Sequence, residues 1–285
     1  MTFMQAYPTE CPVGPFGPIR EHPSVSAPRT MIPWLPVLLL ALLLLPTSTS
    51  FAIGTLRLTP YRVLLLAAVP PLGVRWLWGA YGRLNTADVL VFFAGAWAIL
   101  AFGVNAGIGP AAQTGGIFFV ELCGGYLVGR CVMQTDAAYR GFVHCLLWIL
   151  VVLAPLTVLE SITGRHLIQD AFAAAQGTSF TSEIGTRHGF YRAYGPFDHP
   201  ILYGTFAAAC VSHIWFEYAG DSDRIGWRRL AAVSVPMIAA ATSLSAGAFA
   251  AMGVQVLLIT WERLTRGRAR RWWLLLGLLG ALYLF

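Results

Sequence analysis

The chain has 285 residues, of which 57% are hydrophobic and 11% are charged. Soluble domains carry about 25% charged residues, so this composition excludes an ordinary water-soluble domain and predicts a surface that mostly faces lipid. The net charge of +6 does not indicate a nucleic-acid-binding protein, because the arginines fall between apolar runs and form no continuous basic face. The cysteines show neither metal-ligand spacing nor a disulfide framework, and we expect no metal and no cofactor.

Two regions follow one another along the chain. Residues 1–31 are polar and rich in proline, which predicts a disordered cytoplasmic tail. Residues 32–285 are predicted to form a transmembrane helical domain. The first apolar run of this domain also has the length of a signal-peptide core, but the tail before it and the further spans after it favour an uncleaved anchor.

The apolar runs predict an all-α polytopic membrane protein with about nine transmembrane helices, since each span needs about 20 apolar residues. The last run covers only residues 272–285, too few to cross about 30 Å at about 1.5 Å per residue. We therefore expect the ninth helix to be incomplete and the chain to be truncated there. The predicted segments are 33–53, 60–79, 87–105, 111–131, 141–160, 199–217, 229–243, 246–261 and 272–285.

The placement of arginine predicts the orientation of these spans. Most arginines lie in alternate loops, and cytoplasmic loops are the ones that carry an excess of positive residues. This places the N-terminus in the cytoplasm and residues 161–198, between the fifth and sixth spans, in an outer loop.

The stretch "RHGFYRAYGPFDHPILYG", residues 187–204, concentrates polar groups where this loop ends. Pro200 suits the first turn of a helix, because its missing N–H costs nothing there. Asp198 or His199 is expected to cap that helix. Its N-terminal end then points to the outer membrane face, and such an end attracts anions.

Cationic side chains lie close to this helix end in the sequence. Arg187 and Arg192 can bind phosphate oxygens in bidentate fashion, and His188 and His199 add donors. An anion held at headgroup level is most simply a lipid phosphate or diphosphate. The alternative stays open: outer-loop arginines often only meet lipid headgroups, and an Asp-His-Pro sequence can simply cap a helix. A metal site is a further alternative, but the spacing of its candidate ligands, His166, His188, Asp198 and His199, matches no known pattern.

With these residues in view, "RAYGPFDHPILYG" resembles the arginine, glycine, histidine-proline signature of the O-antigen ligase and polysaccharide polymerase family. "LESITGRHL" ends a span before a loop of similar length, as in that family. "TSLSAGAFAAM" lies at an outer turn where many relatives have serine-arginine-glycine; here Ala246 stands in the arginine's place, while Ser243 and Ser245 can still donate hydrogen bonds.

The resemblance implies a bacterial inner-membrane glycosyltransferase that polymerises or ligates polyprenyl-diphosphate-linked glycans in cell-surface polysaccharide synthesis. The implied partners are that glycan, the lipid bilayer and other polysaccharide-assembly proteins. In the family a further outer loop carries the base, so we expect the base to be absent from this chain. Arg192 and His199 match the catalytic arginine and histidine of the motif. The substrate-binding candidates are Arg187, His188, Asp198, Glu160 and Ser245.

Two acidic residues leave alternatives open. Glu160 either orients Arg187 or Arg192, or is a solvated acid at a helix end. Glu121, within the fourth span, is either a proton relay or, as we favour, a protonated acid bonded to a neighbouring helix. The alternative functions are a transporter or flippase for a lipid-linked glycan, which needs polar groups at the bilayer midplane, and a non-catalytic assembly subunit.

Overall fold

The computed structural model describes residues 33–53, 56–177, 185–218 and 225–284. The predicted disordered tail, residues 1–31, lies outside these residues. The described chain is mostly helical. Its helices are α1 (Trp34–Leu43), α2 (Pro60–Leu77), α3 (Thr86–Ala106), α4 (Ile108–Pro110), α5 (Gly116–Val132), α6 (Asp136–Thr163), α7 (Leu167–Ala175), α8 (Pro200–Glu217), α9 (Trp227–Thr242), α10 (Ala246–Leu264) and α11 (Arg271–Leu284).

Short non-α elements connect some of these helices. A 3-10 turn at Thr47–Thr49 and a π-helical turn at Ala111–Gly115 precede the second and fifth helices. Two antiparallel hairpins are present: β1 (Phe51–Ile53) pairs with β2 (Leu56–Leu58), and β3 (Thr186–Arg187) pairs with β4 (Phe190–Tyr191). The helix α7 and the two hairpins were not expected from the sequence, and the strands of the hairpins are too short to carry a clear hydrophobic period.

Three of the described helical segments are long and apolar enough to cross a membrane: Thr86–Ala106, Ile108–Val132 and Asp136–Thr163. They coincide with the third, fourth and fifth predicted spans. The helical, membrane-type fold is thus confirmed at this coarse level, while the number of nine spans stays a prediction.

Two apolar cores hold the helices together. One joins α6, α8, α9 and α10, with Leu150, Tyr203 and Ile214 fully buried at its centre. The other joins α1, α2 and α5 around Leu65 and Leu127. Small residues are frequent in α8, and they allow its neighbours to approach closely, as is typical of helix packing in membranes.

A polar network ties the connection between α2 and α3 to α5. Asn85 and Asp88 form a reciprocal capping box at the start of α3. The Asp88 carboxylate, 1% exposed, also accepts from the Tyr126 hydroxyl at 2.5 Å and from Arg130 Nε at 3.3 Å. Arg130 Nη1 in turn donates to the Tyr81 carbonyl oxygen at 2.9 Å. One buried carboxylate therefore joins three chain segments.

Gly204 provides the closest contact between α8 and the turn from α9 to α10. A Cβ atom at this position would overlap the Ser243 hydroxyl and lie 2.8 Å from the Ala248 Cβ. We expect Gly204→Ala to lower the free energy of unfolding by about 1–3 kcal/mol, because this overpacking outweighs the better helix propensity of alanine. Thermal unfolding in detergent measures the change.

Gly253→Ala in α10 is the matched control, since a Cβ at this helical glycine meets nothing within 4 Å. It is expected to leave the unfolding temperature unchanged or raise it slightly. Equal unfolding temperatures for the two variants would contradict the close approach at Gly204.

Candidate functional site

The stretch singled out in the sequence forms a hairpin, a buried turn and the start of α8. Thr186 pairs with Tyr191 and Arg187 with Phe190 across the hairpin. His188 lies in its turn with a left-handed φ of 52° and is exposed. Residues 193–196 are buried, and α8 follows directly. Arg187 therefore lies in the exposed hairpin, and Arg192 directly precedes the buried turn.

The start of α8 agrees with the sequence prediction. The helix begins at Pro200, and His199 is the N-cap residue, with its Nδ1 accepting from the Ile201 amide at 3.2 Å. Because Nδ1 accepts, a neutral ring carries its proton on Nε2. Asp198, the other capping candidate, instead accepts from the Thr47 hydroxyl at 2.5 and 2.6 Å. His199 and Asp198 are both exposed.

Both candidate arginines contact the turn between α9 and α10. Arg192 Nε donates to the Ser243 carbonyl oxygen and Arg187 Nη1 to the Leu244 carbonyl oxygen, each at 3.2 Å. The Ala193 amide donates to the Thr242 carbonyl oxygen at 2.9 Å. The structure thus brings together two segments about 50 residues apart that the sequence analysis had treated separately.

Positive charge accumulates at this place. Within the described part of the chain, no carboxylate forms an ion pair with Arg187 or Arg192. Partial burial, and next the like charge of Arg187, lower the pKa of the Arg192 guanidinium from its usual value. Arginine stays protonated at neutral pH even so, because its usual pKa is above 12. The arrangement suits an anion, which would relieve the repulsion between the two cations.

The first turns of α8 adjoin the same cations. Gly204 of α8 lies against Ser243, whose carbonyl oxygen binds Arg192. Pro200 has no amide hydrogen and the next three amides of α8 are bonded to His199, so this helix end contributes only the partial positive charge of its dipole. Two guanidinium groups therefore meet the turn against which α8 packs, and this arrangement can hold a phosphate or diphosphate.

Glu160 has different partners from those expected. Its side chain is only 2% exposed, so it is not a solvated acid. Oε2 accepts from the amides of Tyr194 at 3.2 Å and Gly195 at 2.9 Å, and Oε1 accepts from the Ile168 amide at 3.5 Å. Glu160 therefore binds backbone amides of the loop, and it makes no direct ion pair with Arg187 or Arg192 in the described part of the chain.

Ser245 is also placed differently. It is 1% exposed and is the N-cap residue of α10, where its carbonyl oxygen accepts from the Phe249 amide at 3.0 Å. Neighbouring Ser243 is fully buried and its hydroxyl donates to the Ala240 carbonyl oxygen at 2.7 Å. Both serines are buried in this structure, and the assignment of Ser245 to substrate binding stays a prediction.

The helix α7 supplies contacts that sequence reasoning missed. Gln169, 1% exposed, donates from Nε2 to the Phe197 carbonyl oxygen at 3.0 Å. The His166 ring packs edge-on against Tyr194 with centroids 4.5 Å apart. The amphipathic run "HLIQDAFAAA" is the signal that could have indicated a helix lying on the loop.

Three of the candidate metal ligands contact other groups: the rings of His166 and His199 both lie against Tyr194, and Asp198 accepts from Thr47. The described residues contain no group of three or more His, Cys, Asp or Glu side chains placed to hold a metal ion.

Comparison with models of known protein families, with curated proteins and with solved structures finds no match. The function of the chain is therefore inferred from its own residues and their geometry.

Proposed function

We propose that this chain binds a polyprenyl-diphosphate-linked glycan at the outer face of the bacterial inner membrane and polymerises or ligates it. One observation supports this above all others: Arg187 and Arg192 converge on a single turn beside the start of α8, with no carboxylate paired to them among the described residues. A diphosphate attached to a membrane lipid carries the negative charge that complements these two arginines.

The proposed chemistry is transfer of the glycan from its diphosphate to an acceptor hydroxyl. The acceptor oxygen bonds to the anomeric carbon, the bond from that carbon to the diphosphate oxygen breaks, and the acceptor proton ends on the departing diphosphate. Negative charge develops on the diphosphate as the glycosidic bond breaks, and fixed cations at that point lower the barrier. Arg192 and Arg187 bind the phosphate oxygens. His199 donates from Nε2 to a phosphate oxygen, since its Nδ1 is engaged in capping α8. We do not assign His199 the role of base for the acceptor.

The proposed membrane arrangement follows from charge and hydropathy. Three apolar helices long enough to cross a bilayer support membrane insertion. The excess of arginine in alternate loops supports a cytoplasmic N-terminus and nine spans, with the site at the outer headgroup level.

A transporter for the same lipid is the second candidate, because a polar cluster lies next to the π-helical turn. Glu121 Oε1 accepts from the Tyr61 hydroxyl at 2.5 Å and from Arg62 Nε at 2.7 Å. Glu121 is thus bonded to side chains of a neighbouring helix. Tyr61 and Arg62 belong to the first turn of α2. Glu121 lies near the middle of the Ile108–Val132 segment, at the depth where transport sites lie, and this keeps the transporter as the second candidate.

Binding of farnesyl diphosphate to the purified chain in nanodiscs tests the proposal. We expect the diphosphate to bind at least about tenfold more tightly than farnesol, and the difference to shrink at high salt, because phosphate–arginine attraction is screened by ions. Equal affinity for the two probes would contradict the anion site. Release of polyprenyl diphosphate from a lipid-linked oligosaccharide then separates an enzyme from a transporter, which releases none.

A further inference from the structure

The segment between Arg192 and His199 is held from beneath by polar groups of α6 and α7. Glu160 accepts from the consecutive amides of Tyr194 and Gly195, and Gln169 donates to the Phe197 carbonyl oxygen. Glu160 and Gln169 are both at least 98% buried. A buried carboxylate forms strong hydrogen bonds with backbone amides because it is charged. Losing one of these bonds costs free energy, since the buried group cannot bond to water instead.

These contacts fix the backbone of the segment that carries the two candidate catalytic residues, Arg192 and His199. Arg192 precedes the Glu160-bound amides by two residues, and His199 follows them by four. Gly195 has a left-handed φ of 55°, and a Cβ there would lie 3.1 Å from the Tyr203 ring, so the turn is tightly confined. A small displacement of this turn moves Arg192 and His199 together.

Nothing else in the described contacts of Glu160 suggests a direct role. Its oxygens point to the amides of Tyr194, Gly195 and Ile168, and it is too buried to meet a substrate at the surface. Burying a carboxylate costs free energy, and the hydrogen bonds from the loop amides to Glu160 offset this cost. Glu160 can therefore affect the site only through the loop backbone that it binds.

We propose that Glu160 is a positioning residue that sets the placement of Arg192 and His199 through the backbone of Tyr194 and Gly195. The role rests on the proposed function of the site as a diphosphate site. It differs from a purely structural one in that loss of the carboxylate weakens anion binding while the helices stay folded.

Glu160→Gln is the informative variant, because it is nearly isosteric. Both carboxylate oxygens accept from N–H groups, whereas glutamine has one acceptor oxygen and an NH₂ group that must face a donor. Hydrogen–deuterium exchange of residues 190–199 in nanodiscs measures how firmly the loop backbone is held. The affinity for farnesyl diphosphate measures anion binding at the site. We expect faster exchange in this segment, unchanged exchange in α6 and α8, and about tenfold weaker binding or more.

Asp170→Asn is the matched control. It removes a carboxylate from the adjacent α7, and Asp170 forms no side-chain hydrogen bond in the described part of the chain. Its exchange and affinity are expected to equal those of the wild type. Glu160→Asp, which keeps the charge on a shorter side chain, is expected to give intermediate exchange and affinity, and it replaces the glutamine variant should that variant fail to fold.

The outcomes separate this proposal from the one on which it rests. If wild-type protein does not bind farnesyl diphosphate, the proposed function fails whatever the variants do, and the positioning role fails with it. If the wild type binds and Glu160→Gln binds equally well, only the positioning role is overturned. Unchanged exchange in residues 190–199 of the variant overturns it as well, because the carboxylate then does not hold the loop.

Discussion

Replacing Arg192 with alanine is expected to reduce glycan transfer by about 100- to 1000-fold, equivalent to about 2.7–4 kcal/mol of transition-state stabilisation. The physical reason is that a fixed guanidinium next to the departing diphosphate requires little reorganisation during the reaction. Arg192 is well placed for this, because its Nε is anchored on the Ser243 carbonyl oxygen and leaves its terminal nitrogens for phosphate. Turnover of a lipid-linked oligosaccharide measures the effect, with membrane levels followed in parallel.

Arg165→Ala is the control for Arg192. Arg165 belongs to the same predicted outer loop and is exposed, but none of its described side-chain contacts reaches the turn between α9 and α10. We expect this variant to retain wild-type turnover. A fully active Arg192→Ala protein would remove Arg192 from the mechanism, and an equally inactive Arg165→Ala protein would point to a general effect of loop charge.

Replacing Asp88 with alanine is expected to lower the free energy of unfolding by about 3 kcal/mol or more, because it leaves a largely buried Arg130 without its partner. The Asp88 side chain is fully buried and that of Arg130 is 21% exposed. The change also removes the acceptor for the Tyr126 hydroxyl and half of the capping box with Asn85. Thermal unfolding in detergent, followed by circular dichroism, measures the loss.

Asp136→Ala supplies the comparison for Asp88. Asp136 is likewise an acidic residue in the first turn of a long apolar helix, α6, but it is exposed. Its interaction with the helix dipole contributes less than about 1 kcal/mol, so the unfolding temperature is expected to change little. Similar losses for the two variants would show that the Asp88 network contributes no more than ordinary helix capping.

Part of the candidate site could be predicted because the relevant forces are local. Proline lacks an amide hydrogen, so the start of α8 at Pro200 follows from the residue alone. His199 next to it was one of two capping candidates, and the choice depended on where Asp198 found a partner. That partner is Thr47, about 150 residues away, which no local pattern indicates.

The burial of Glu160 and Ser245 could not be predicted for a related reason. At a helix end near a loop, an acid is more often solvated, and a serine in a tight turn is more often accessible. Glu160 is instead covered by the 194–195 turn, and Ser245 is buried in a turn whose residues Ser243 and Ala248 pack against α8. Burial of a polar residue depends on what packs over it, which the residue and its neighbours do not specify.

The sequence by itself determined that the chain is helical and of membrane type, because hydropathy over some 20 consecutive residues decides whether a segment can enter lipid. It also predicted the start of α8, and it has several cationic residues within a dozen positions of that start. Only the tertiary structure decided that Arg187 and Arg192 meet one turn, that Glu160 holds the loop backbone and that Asp88 pairs with Arg130. These contacts join residues some 35 to 60 positions apart, and side-chain packing, not local propensity, brings them together.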